Sequence, residues 1–174
     1  MTLHGLWPSL KSGSMLPDCN KGQDLPININ DRALLTTMEA DWPSLTGPNE
    51  KFWTHEYNKH GFCYTNKTKT EGYIPYFSVG IELFRKNNLQ NFISDFVNGS
   101  TQAEIAIKTD DLKALINKNY PKIKFDFDCK KFGTKSYLSE IRIYFDLELN
   151  SFVPPKGRSD CPASQPIFIG KIIQ

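Results

Sequence analysis

The chain has 174 residues, 39% hydrophobic and 23% charged, the balance of one soluble domain with a sizeable core. No run approaches the ~20 apolar residues that a membrane-spanning helix needs, and the opening Met-Thr-Leu-His-Gly lacks the charged and apolar blocks of a secretory signal. A net charge of +2 and a pI near 8.3 fit a polyanionic substrate without arguing for one, whereas 13% aromatic residues can supply core rings and base-stacking rings alike.

The first seven residues read as an extended segment ending at Trp7-Pro8, followed by a polar loop from Ser9 to about Ile29. Asn30 or Asp31 caps a helix that carries Leu34, Leu35, Met38 and Trp42 on one side and stops at Pro43. A turn at Thr46-Gly47-Pro48-Asn49 leads into a helical segment from Glu50 to Tyr64. Further helices are predicted from Pro75 to Asn87 and after Asp110, the latter ending near Tyr120-Pro121. The pattern then changes. Ile123, Phe125 and Phe127 alternate with charged residues, as do Ile141, Ile143, Phe145 and Leu147, and Ile167 through Ile173 forms a last strand. Helices early and strands late imply an α+β fold, a central antiparallel β-sheet packed against several helices.

Cys19, Cys63, Cys129 and Cys161 contain no CxxC pair, which argues against a zinc ribbon or a thioredoxin-type motif. An even, widely spaced set reads as two disulfides of an oxidising compartment, with three pairings open. Sequential pairing would close loops worth roughly 4 kcal/mol each. The sequons at Asn66 and Asn98 agree with a secretory route.

There are three histidines, His4, His55 and His60. Two sit within six residues of each other beside Glu56 and Lys59, a concentration of proton-transfer groups that a structural helix has little reason to hold. On an α-helical wheel with His55 at zero, Lys59 falls at about 40°, Glu56 at about 100° and His60 at about 140°. A phosphate lying on that face could meet a base, a cation and an acid. The metalloprotease pattern needs histidines at i and i+4; here they stand at i and i+5 with Lys59 between them, so no metal site is expected.

His4-Gly5-Leu6-Trp7-Pro8 and Phe52-Trp53-Thr54-His55-Glu56-Tyr57-Asn58-Lys59-His60-Gly61-Phe62-Cys63 resemble the two active-site segments of the ribonuclease T2 family, with the closest look to its plant members, the S-RNases and S-like ribonucleases. The resemblance covers nearly the whole chain, residues 1–174 as a single domain, and implies a metal-independent endoribonuclease without cofactor. It implies that His60 takes the proton of a ribose 2′-OH while His4 protonates the departing 5′-oxygen. Lys59 would stabilise the transition-state charge, His55 would hold the phosphate and Glu56 would orient its neighbours. Trp7 and Phe52 would stack on flanking bases, and Trp53 would be structural. The disulfides would be Cys19–Cys63 and Cys129–Cys161, with Gly61 giving a tight helix end before Cys63.

The expected substrate is single-stranded RNA, handled by a secreted glycoprotein that acts as a monomer away from membranes. A pistil S-RNase of self-incompatibility would add pollen F-box proteins as partners; a defence or phosphate-scavenging enzyme, or an inactive storage relative, are the alternatives. Departures from the family pattern are informative. Roughly 25–35 residues, including a strand, would normally precede the first motif. Tyr144 and the Val153-Pro154-Pro155 region stand where plant members often carry a further disulfide, and Ser9 replaces an Asp that aids purine recognition. Tyr57 and Phe62 stand for the commoner Trp and Thr.

Overall fold

The computed structural model describes residues 1–10, 16, 19–20, 22, 25–68, 72–155 and 159–170, with 66–68 described by backbone alone. The chain forms two compact units, Met1–Ile93 and Ser94–Gln174. Part of the Ser9–Ile29 loop, the side chain of Asn66 and the end of the expected last strand lie outside the described residues. Among the described residues, no helix is long and apolar enough to cross a membrane.

The first unit is helical: α1 (Arg32–Asp41), α2 (Asn49–Glu56), a π-helical turn (Tyr57–Gly61), α3 (Phe62–Thr68) and α4 (Ile74–Asn87). Asp31 accepts from the N–H groups of Ala33 and Leu34 at 2.9 and 3.1 Å, a cap that stabilises α1 by about 1 kcal/mol. Trp42 closes α1 through Met38, and the ring of Pro43 prevents continuation. Met38, Trp42, Trp53, Tyr57, Tyr76, Phe77 and Ile81 form the buried core. Trp53 is structural, as expected: it is buried, and its indole N–H donates to the Trp42 carbonyl at 2.7 Å.

The extended N-terminal segment is fastened to this core by backbone groups. Leu3 N–H donates to Asp41 O at 2.7 Å, the Trp42 indole donates to His4 O at 2.6 Å, and the Tyr76 hydroxyl donates to Leu6 O at 3.1 Å. These bonds bracket His4 on both sides, fixing its backbone while its side chain stays half exposed.

Gly61 was expected to end the helix. Instead the helix continues through it into α3. A Cβ at Gly61 would lie 2.4 Å from Tyr57 Cδ2 and 2.8 Å from Tyr76 Cδ1, so the residue is small because two aromatic rings pack onto it.

Asn88, in the left-handed region at φ 49°, ends α4 and opens α5 (Leu89–Asn98), a helix the sequence reading did not include. The second unit then contains β1 (Glu104–Lys108), also unforeseen, α6 (Thr109–Asn119), β2 (Phe125–Phe132), β3 (Lys135–Ile143) and β4 (Pro166–Gly170). The strand order is β1-β4-β3-β2. The β1–β4 and β2–β3 pairs are antiparallel, whereas β3 and β4 run parallel over a short stretch. The sheet is therefore mixed along one of its three seams. Leu112 and Ile116 of α6 are fully buried with Ile167 of β4.

The alternation Ile141–Leu147 does not run as one strand. β3 stops at Ile143, and Asp146 turns the chain by accepting from Asn150 N–H at 2.9 Å. The returning segment pairs Phe145 with Phe152, and Val153 N–H donates to Tyr144 O at 3.0 Å. Where the resemblance would allow a further disulfide, backbone pairing and a ring contact of 5.0 Å hold the loop. The two disulfides present, Cys19–Cys63 and Cys129–Cys161, are the expected pairs.

Candidate active site

The site lies within the first unit and is built from the extended N-terminal segment and the α2–π–α3 helix. Along that helix the side chains divide by exposure. Glu56 and His60 are buried, at 3% and 6%, whereas His55 and Lys59 are exposed. The single face drawn from sequence divides into an inner and an outer edge. Glu56 and His60, four apart, share the inner side; His55 and Lys59, also four apart, share the outer side.

Trp7 joins the two halves of the site. Its indole N–H donates to Glu56 Oε2 at 2.9 Å. Its ring meets His4 edge-on at 4.8 Å and His60 at 5.5 Å between centroids. Both imidazoles thus border one indole, and their separation cannot exceed the sum of those two distances. His4 Nε2 also stands 4.0 Å from Glu56 Oε1, an ion pair when the imidazole is protonated. Gly5 makes this closeness feasible. A Cβ there would come within 2.3 Å of Glu56 Oε2 and 2.2 Å of Trp7 Nε1.

Electrostatics separates the two buried groups. Burial pushes the Glu56 carboxyl up, opposed by the Trp7 hydrogen bond and the charges of His4, His55 and Lys59. Burial also lowers the His60 imidazole to about 4, helped by the positive charges of Lys59, His55 and His4. At neutral pH His60 is therefore an uncharged imidazole able to accept a proton.

A cleft of about 930 Å³ opens beside the helix, lined by His55, Lys59 and His60 on one side and by Pro8, Pro26 and Ile27 on others. Asn58, which sequence reasoning passed over, holds that far wall. Its carboxamide oxygen accepts from Leu25 N–H at 3.0 Å and Asn20 Nδ2 at 3.2 Å. Its nitrogen donates to the carbonyls of Leu25 and Thr54, both at 3.0 Å. The only sequence hint was an amide beside the Lys-His pair. Phe52 is half-buried against the core, with its ring 5.9 Å from that of His4. Among the described residues no cluster of three or more His, Cys, Asp or Glu could hold a metal ion.

Residues 1–161 match the family described as the ribonuclease T2 family. The chain belongs to that family. It is 44% identical over 89 residues to ribonuclease DdI of Dictyostelium discoideum, covering 51% of this chain and 38% of that protein. It is 30% identical over 182 residues to ribonuclease Oy of Magallana gigas, covering 95% of this chain and 81% of the relative. Among solved structures, ribonuclease MC1 from bitter gourd seeds superposes with a TM-score of 0.74 at 21% identity, over 98% of this chain and 84% of that one. The self-incompatibility-associated SF11-RNase of Nicotiana alata gives 0.70 at 18% identity, over 95% and 83%. These likenesses establish the fold, α+β with a four-stranded sheet.

Proposed function

We propose that the chain is an endoribonuclease that cleaves single-stranded RNA by internal transphosphorylation. The supporting observation is the pairing of a buried, neutral His60 with a half-exposed His4 that faces the Glu56 carboxylate across one indole. His60 accepts the 2′-OH proton as that oxygen attacks phosphorus. His4, carrying its proton beside Glu56, donates to the 5′-oxygen as the P–O bond breaks. The product is a 2′,3′-cyclic phosphate, which water opens with the two roles exchanged. Lys59, exposed on the cleft, neutralises charge on the phosphoryl oxygens, and His55 beside it holds the phosphate. Trp7 and Phe52, whose rings both meet that of His4, are the candidates to stack on flanking bases. Retention of both histidines favours an active enzyme over a storage relative.

The test is digestion of an RNA and of its DNA counterpart in EDTA, with end-group analysis. Cyclic phosphate ends and intact DNA are expected. Cut DNA, or 5′-phosphate ends from RNA, would overturn the scheme.

The same reading extends to a secreted glycoprotein. Two disulfides suit an oxidising compartment, and Asn98 of the second sequon is exposed at the end of α5. A pistil role in self-incompatibility, with pollen F-box partners, rests on the basic pI and is tested by allele-dependent arrest of pollen tubes. His55 on the cleft fits a scavenging or defence enzyme as well, and that role predicts induction by phosphate starvation or wounding.

A further inference from the structure

We infer that the solvent face of the second unit's sheet is a stacking platform for single-stranded RNA, separate from the residues that cut it. The register fixes which side chains share that face. Lys130 pairs with Tyr137 and Phe132 with Lys135 across β2 and β3, and Tyr137 pairs with Phe168 of β4. The alternate residues, Ser136, Ile167 and Ile169, are buried on the opposite face.

The hairpin end of this face is aromatic and cationic, with Phe132 and Tyr137 beside Lys130 and Lys135. Tyr137 and Phe168 sit with ring centroids 5.8 Å apart, and the Lys135 ammonium lies 4.6 Å above the Phe168 ring. Glu104, Asp128 and Glu140 are acids on this face: Lys135 and Tyr137 donate to Glu104, and Arg142 donates to Asp128 and Glu140. At the far end Phe132 is 81% exposed at a two-residue hairpin, Gly133-Thr134, with exposed Lys130 beside it in the strand.

Phe132 shares its face with the Tyr137–Phe168 ring pair, so the exposed ring is one of a row rather than an isolated surface apolar group. Flat rings on a sheet with a flanking lysine suit unstacked bases joined by phosphates, because every base offers a π-face and every linkage a negative charge. Duplexes keep their bases stacked inside, so the occupant is a single strand.

The inference rests on the ribonuclease reading, and its test separates the two. In the full chain, Phe132→Ala and Lys130→Glu are compared with the parent on poly(U) and on a dinucleoside monophosphate too short to reach beyond the cleft. Phe132→Ala is expected to raise KM for poly(U) by roughly tenfold, about the effect of one lost base stack, and Lys130→Glu to raise it by reversing a charge, each with kcat unchanged. Dinucleotide cleavage stays at the parent rate. Unchanged KM on poly(U) would overturn the platform while leaving the nuclease intact; loss of dinucleotide cleavage in the variants would overturn the separation of the two sites. Absence of cleavage in the parent would sink the nuclease reading alone, and equilibrium binding of poly(U) by the same variants would still decide the platform. If Phe132→Ala instead abolishes binding to anionic phospholipid vesicles and leaves poly(U) untouched, the face is a membrane contact and the inference fails.

Discussion

Trp7 and Glu56, 49 positions apart in sequence, are joined by an indole–carboxylate hydrogen bond of 2.9 Å at the centre of the site. The carboxylate is 3% exposed, so its donor has no ready replacement in water. Trp7→Phe keeps the ring and deletes the donor. It is expected to cost about 1–3 kcal/mol of stability and to raise the Glu56 carboxyl further, weakening the ion pair with His4. Urea denaturation and kcat/KM on RNA check both effects.

The acid–base assignment predicts unequal losses. His4→Ala or His60→Ala should each lower kcat by about 10²–10⁴-fold, the range for removing one positioned proton-transfer group. His55→Ala should reduce cleavage less and act mainly on KM. Activity should persist in EDTA, since no proposed step uses a metal.

The lowered His60 value sets a pH dependence. Activity needs neutral His60, so the acid limb of kcat/KM should fall near pH 4. Lys59→Met removes one of the charges that hold His60 down, so the acid limb should move up as kcat drops.

Stability follows the same proton. Between about pH 6.5 and 4 the unfolded chain takes up a proton that folded His60 refuses, so stability declines on acidification across that window by about 3 kcal/mol and levels off below it. Glu56 acts in the opposite sense: its raised carboxyl contributes stability at low pH that is lost as pH rises through its folded value. Denaturation midpoints across pH 3–8, flattened on the acid side in His60→Asn, check the sign (range set by those two groups).

Asn58→Ala removes three hydrogen bonds that tie the helix to Leu25 and Asn20, and one to the Thr54 carbonyl within the helix. The Pro26–Ile27 wall should loosen. KM is expected to rise severalfold with kcat little changed, and stability to fall by about 1–3 kcal/mol. Steady-state kinetics and urea denaturation of the one variant measure both.

Much of this was legible in residue types. The cap at Asn30 or Asp31, the stop at Pro43 and the apolar spacing of α1, α4 and α6 marked those helices, and the histidine-bearing motifs named His4 and His60, whose rings both meet Trp7. The misses have physical causes. α5 carries Leu89, Phe92, Ile93, Phe96 and Val97 at helical spacing, and the left-handed Asn88 separates it from α4. β1 is five residues with two isoleucines, too short for alternation to stand out, and it gains its hydrogen bonds from β4, more than fifty residues later. The parallel β3–β4 seam arises from chain return, which no local pattern encodes. Asn58 and the Trp7–Glu56 bond were hidden for the same reason: both are contacts between distant segments.

The π turn at Tyr57–Gly61 is equivalent to one residue spliced into an otherwise continuous helix. Excising a residue between Tyr57 and Lys59 would leave the backbone hydrogen bonding intact yet swing everything from His60 onward by about 100° around the axis. Cys63 would then point away from Cys19, whose Cα lies 5.2 Å off in the native arrangement. Covalent closure of this unit and the inward aim of His60 thus depend on the same phase of the helix, and a one-residue deletion should forfeit both at once.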